Sequence, residues 1–152
     1  MENIIVALSN YRIVYPICLS YSNRDYLTLT IIIILGLGSF ISHLIENHKH
    51  GMSGIGFSIR LSYYLNRFDV FMCILISCRL VFLYYYKYKL NIMPIINSKL
   101  LMIKFVFSLL FMIISEYDKY NPKLKYLYII THCIWHMSIF STLYDFLNTL
   151  IY

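Results

Sequence analysis

Long apolar stretches alternate with short polar ones along this chain, and their lengths predict its elements. Five stretches are long enough to cross a bilayer as helices: residues 3–20, 26–45, 66–86, 91–115 and 124–150. About 20 apolar residues at 1.5 Å each match a hydrocarbon core of roughly 30 Å. The expectation is an all-α integral membrane bundle of about five transmembrane helices, forming a single transmembrane domain over residues 1–152. The first stretch is the least regular, since Asn10, Arg12 and Pro16 interrupt it. The second is the clearest: an aliphatic run from Thr30 to Leu35 ends in Gly36-Leu37-Gly38-Ser39, small residues that let a neighbouring helix approach closely.

The connections read as turns, with one exception. Residues 46–60 form a long polar connection carrying His48 and His50, taken as solvated loop histidines; its glycines lack the Gly-Lys-Ser/Thr ending of a phosphate loop. Tyr84-Tyr85-Tyr86 beside Lys87 and Lys89 suits an interfacial anchor. Pro94 kinks or delays the fourth helix, and Lys99 and Lys104 can snorkel toward an interface.

Composition agrees with this class. The chain is 60% hydrophobic and only 13% charged, against roughly a quarter charged in soluble domains. Its net charge of +6 lies mostly in the short connections, where anionic headgroups attract it; no nucleic-acid motif or basic run accompanies it. Cys18, Cys73, Cys78 and Cys133 form no C-x-x-C pair and read as reduced, apolar thiols. Glu2 stands where a signal peptide would be basic, so the first segment is read as retained. There is no internal repeat.

The chemistry begins with His132 and His136. Four apart on a helix, they share one face, inside a segment where ionisable groups are costly. Following the chain direction through five crossings, Ser39 and His43 fall at the end of the second helix, and Asp69 falls at the start of the third. The fifth runs parallel to the third, so all five residues belong near one membrane face. Three imidazoles with an open fourth position suit a catalytic zinc ion. Asp69 would take or orient a proton of the water, and Ser39 would hydrogen-bond the water or a carbonyl oxygen. The same residues can also serve as interhelical hydrogen-bond glue, and Trp135 reads as a packing or interface residue.

At these residues the chain resembles the CREST superfamily, which includes alkaline ceramidases, progestin and adiponectin receptors and the myomaker group. The resemblance rests on Ser39-x-x-x-His43, on Arg67-Phe68-Asp69, and on His132-x-x-x-His136 with an aromatic before the last histidine. It implies that His43, His132 and His136 bind zinc with Ser39 and Asp69 beside the metal. It further implies membrane lipids as partners, with a sphingolipid or other lipid amide or ester as substrate for a hydrolase acting through a metal-bound water. The rival implication is a non-catalytic receptor or membrane-remodelling protein with a structural zinc.

The chain departs from the family pattern in three ways. It has room for about five helices rather than seven, which loss of one hairpin would explain and pairing of two chains into a homo-oligomer would compensate. The connection between His43 and Asp69 is long, and no acidic calcium-binding stretch precedes Tyr26. A small excess of Lys and Arg on the site's side points that side to the cytoplasm.

Overall fold

The computed structural model describes residues 2–45, 59–89, 91–119 and 122–152; the reading of His48 and His50 as loop residues lies outside the described residues. Among the described residues every regular element is helical. Helix α1 (Glu2–Leu8) tightens into a 3-10 stretch (Ser9–Ile13) and continues as α2 (Val14–Ser22), forming one rod. Helices α3 (Tyr26–Ile45) and α4 (Ile59–Tyr88) follow, then a short α5 (Met93–Asn97) and α6 (Lys99–Lys119). A 3-10 turn (Pro122–Leu124) leads into α7 (Lys125–Phe146), which closes in a π-helical stretch (Leu147–Ile151).

Local chemistry explains the boundaries. Asp25 caps α3, its carboxylate accepting the Thr28 N–H at 3.1 Å. Ahead of it α2 stops where Arg24 takes a left-handed φ of 56°, with Asp25 N–H closing back on Ser20 O at 3.0 Å. Lys89 ends α4 in the same conformation, with φ 50°. The predicted fourth span, 91–115, is two helices: Asn91 Oδ1 accepts the Met93 N–H at 3.0 Å where α5 starts, Pro94 sits in its first turn, and the chain breaks at Ser98. The third helix starts earlier than residue 66, running 30 residues from Ile59.

Side-chain pairings give the register. Thr28 meets Arg79 while Gly38 meets Phe68, so α3 and α4 run antiparallel. Lys104 meets Asp145 and Ser108 meets Thr142, making α6 and α7 antiparallel as well. The rod runs alongside α7 in the same direction, from Glu2–Lys125 to Ser9–His136 to Tyr15–Tyr144. Helices α3 and α7 and the rod form the centre, packed on Ile13, Ile32, Leu35, Met72, Phe140 and Leu147. Half of the most apolar stretch of α3 is buried, against 17% for α4 and α6, so those two helices flank the centre.

Close packing at Gly36 and Gly38 uses both sides of α3. A Cβ at Gly36 would stand 2.9 Å from Ile13 Cδ1 of the rod, and one at Gly38 would stand 3.0 Å from the Phe68 ring of α4.

Polarity is distributed inside out. Asn3, Ser9, Asn10, Ser20, Ser42 and Thr142 are buried, while Ile4, Leu37, Phe71, Phe82, Ile103 and Ile113 are exposed. Four helical segments are long and apolar enough to cross a membrane: Glu2–Ser22, Tyr26–Ile45, Arg60–Tyr88 and Lys99–Tyr117. The 22-residue α7, predicted as the fifth span, is not among these four; it buries a polar stripe of Thr131, His132, His136 and Thr142. Its residues are mixed because it faces other helices on most sides.

Two expectations change. Lys104 does not snorkel; it turns inward to the carboxylate of Asp145, 41 residues away. The tyrosine run is divided, since Tyr84 is buried and donates its hydroxyl to Asn91 O, leaving Tyr85 and Tyr86 exposed beside Lys89. All four cysteines are free thiols, as read.

Candidate metal centre

Helical periodicity and helix direction together build the site. The i, i+4 spacing on α7 puts His132 and His136 on one stripe, with ring centroids 4.6 Å apart. The antiparallel packing of α3 brings His43 against both, at 4.8 Å from each. His43 Nε2 and His132 Nε2 stand 3.4 Å apart. The three rings are almost fully buried, at 4%, 2% and 2% exposure. Their ligand atoms all lie within 4.8 Å of one another, a grouping that can hold a metal ion.

Aromatic rings wall this pocket. Trp135 lies against His132 at 4.8 Å and against His136 at 4.9 Å, so its packing role is specifically to the histidines. Tyr128, fully buried, covers the other side of His132 at 5.0 Å, and Phe140 lies 6.2 Å from His136. These apolar faces exclude water and raise the strength of any charge interaction inside. Cys133 turns away, as its helical phase requires, and packs on Val6, Tyr128 and Ile129.

Ser39 and Asp69 are both buried, at 4% and 9% exposure. The contact of Phe68 with Gly38 sets them at one level of the α3–α4 seam, about one helical turn from His43 along α3. Ser42 and Ser62 are buried as well, Ser62 two turns from Asp69 on one face of α4. The metal-capable grouping itself consists of the three histidines, without Asp69.

Ser9 is the residue that sequence reasoning passed over. Its Oγ stands 2.7 Å from His136 Nδ1 and donates to Val6 O at 2.6 Å, both contacts buried. It reaches α7 from the first residue of the 3-10 stretch, 127 positions away in sequence. A lone serine in an irregular segment carries no periodic signal. The only hint was that polar residues cluster where that segment is interrupted.

An apolar groove of about 270 Å³ lies alongside, between the rod and α3, lined by Ala7, Leu8, Ile13, Ile33, Leu37 and Phe40 among others. Its lining residues include Leu8 and Asn10, which flank Ser9 in the chain, and Phe40, which follows Ser39.

No family model and no solved structure matches the chain. It is similar to "Uncharacterized protein L282" of Acanthamoeba polyphaga mimivirus, 53% identical over 152 residues, which is the full length of both chains.

Proposed function

The chain belongs to the family of this mimivirus protein, and we propose that it is a zinc-dependent membrane hydrolase of lipid amides or esters, a shortened member of the CREST superfamily. The observation that carries the reading is the convergence of His43, His132 and His136 in a dry, aromatic-walled interior. Zinc–nitrogen bonds of about 2.0–2.1 Å put tetrahedral neighbours roughly 3.4 Å apart. The 3.4 Å between the Nε2 atoms of His43 and His132 fits that edge. Three neutral imidazoles form the donor set of a site with one open position.

When bound, zinc supplies Lewis acidity, polarising a carbonyl and acidifying water. The chain's own residues do the rest. The Asp69 carboxylate takes the proton released at the water and returns it to the leaving nitrogen or oxygen. The Ser39 hydroxyl donates to the carbonyl oxygen as negative charge develops there. The apolar groove between the rod and α3 would cradle an acyl chain. The inside-out distribution of polarity and the four long apolar helices support a bilayer setting, α7 would be a fifth crossing enclosed by its neighbours, and the small excess of Lys and Arg on the site's side would turn the site to the cytoplasm.

Near-complete burial of the rings favours one second reading, a structural zinc in a non-catalytic member of the same superfamily. Metal analysis of detergent-purified protein, followed by an assay on short-chain ceramides and matched esters, tests both. About one zinc per chain is expected, lost in His136→Ala together with hydrolysis. Zinc without turnover, accompanied by a large drop in thermal stability on metal removal, would select the structural reading. A folded wild-type protein without zinc would overturn both.

A further inference from the structure

Ser9 Oγ lies against Val6 O at 2.6 Å and His136 Nδ1 at 2.7 Å, with the Cys133 thiol as a further neighbour that a second lone pair can meet. A serine hydroxyl owns one hydrogen and two acceptor lone pairs. Two oxygens approach to 2.6 Å only with a hydrogen between them, and a carbonyl has none to give. The Ser9 proton therefore points at Val6 O, and the hydroxyl turns a lone pair toward His136. The hydrogen in that second contact must then sit on Nδ1 of the ring.

We infer that Ser9 is a positioning residue that holds His136 as the Nδ1–H tautomer and so commits its Nε2 lone pair to the metal. This rests on the metal reading above and adds the first helical rod to the centre. The relay runs from the Val6 carbonyl through the Ser9 hydroxyl to the imidazole, with every member buried. Outer partners of this kind fix ring orientation and raise ligand basicity, and losing one typically weakens metal binding by about 10- to 100-fold. The 3-10 stretch acquires a reason as well, since it starts at Ser9, the residue whose hydroxyl folds back on its own chain at i−3.

The test reads the tautomer directly. In metal-free full-length protein with ¹⁵N-labelled histidine, held in nanodiscs near pH 8, two-bond nitrogen–proton correlations distinguish Nδ1–H from Nε2–H. Wild-type His136 is expected as Nδ1–H. Ser9→Thr, which keeps the hydroxyl, should preserve that signature and the zinc affinity measured against a competing chelator. Ser9→Val, shaped like threonine without the hydroxyl, should lose the pure Nδ1–H signature and bind zinc about 10- to 100-fold more weakly. An Nε2–H proton on wild-type His136 would overturn the inference without any variant having to fold. Wild-type affinity in Ser9→Val would overturn it while leaving the metal reading intact, whereas a wild type that binds no zinc overturns both.

Discussion

The two ends of α3 stand about 22 Å apart, the 15 residues from Thr28 to His43 at 1.5 Å each. Both bury polar side chains, with different chemistry. At the start, Asp25 receives Arg79 Nη2 at 3.0 and 3.1 Å, the Thr28 hydroxyl at 2.6 Å and the Tyr152 hydroxyl at 3.1 Å. Charge meets opposite charge there, and the cluster is complete from the chain's own atoms. At the other end three imidazoles face one another, and among the described residues no cysteine or carboxylate belongs to their grouping. Like donors gathered in a dry pocket suit a cation, whereas matched donors and acceptors suit a rivet. Burial alone distinguishes neither; complementarity does.

Replacing Arg79 by Met should break the rivet and spare the metal centre. Removing one partner of a largely buried pair costs on the order of 3 kcal/mol, discounted here because Arg79 and Asp25 keep 16% and 13% exposure. Unfolding in a denaturing detergent should show that loss while zinc stoichiometry stays unchanged. Loss of zinc in Arg79→Met would mean that the two ends are coupled through α3.

Acid sharpens the contrast with a smaller effect. Burial pushes the Asp25 carboxyl up, but hydrogen bonds from the Thr28 hydroxyl and backbone N–H and from Tyr152, with the Arg79 charge, outweigh it and hold the group below its usual 3.8. A carboxyl whose folded value is depressed contributes stability that is full above the unfolded value and lost as pH falls through the folded one. Wild-type protein should therefore lose more stability than Asp25→Asn as pH falls below about 4, and the two should run parallel near neutrality once the constant offset is removed. Equal acid sensitivity in both would remove Asp25 from this role.

The smallest effect distinguishes the two faces of α3 itself. At Gly38 an added methyl meets the flat ring of Phe68 at 3.0 and 3.1 Å, but at Gly36 its closest contact, at 2.9 Å, is the flexible Cδ1 tip of Ile13, with the Cγ2 branch at 3.3 Å. Gly38→Ala should cost about 1 kcal/mol and disturb the α3–α4 seam that holds Ser39 and Asp69, while Gly36→Ala should be close to neutral. The same unfolding assay reads both, and a reversed order would contradict the packing.

What was legible in the sequence follows from range. Spacing on one helix exposed His132 and His136, and counting crossings placed His43, Ser39 and Asp69 at the same end, because both arguments need only local periodicity and direction. The all-helical architecture followed from the lengths of the apolar runs. The partners that depend on rotation of one helix about its axis were hidden. Arg79 finds Asp25 across 54 residues, Lys104 finds Asp145 across 41, and Ser9 finds His136 across 127. None of these pairs has a periodic signature. For that reason the sequence suggests a snorkelling Lys104 and carries no signal at Ser9.

The histidine centre joins residues 89 positions apart, with a support from the first helix, so no one helix carries all of it. During synthesis the rod and α3 emerge first and present a single histidine, a monodentate site with little hold on any ion. The chelate forms only after the last helix has entered and packed between them. On the metal reading proposed above, a loaded ion would mark a chain in which α7 has docked on α3 and the rod.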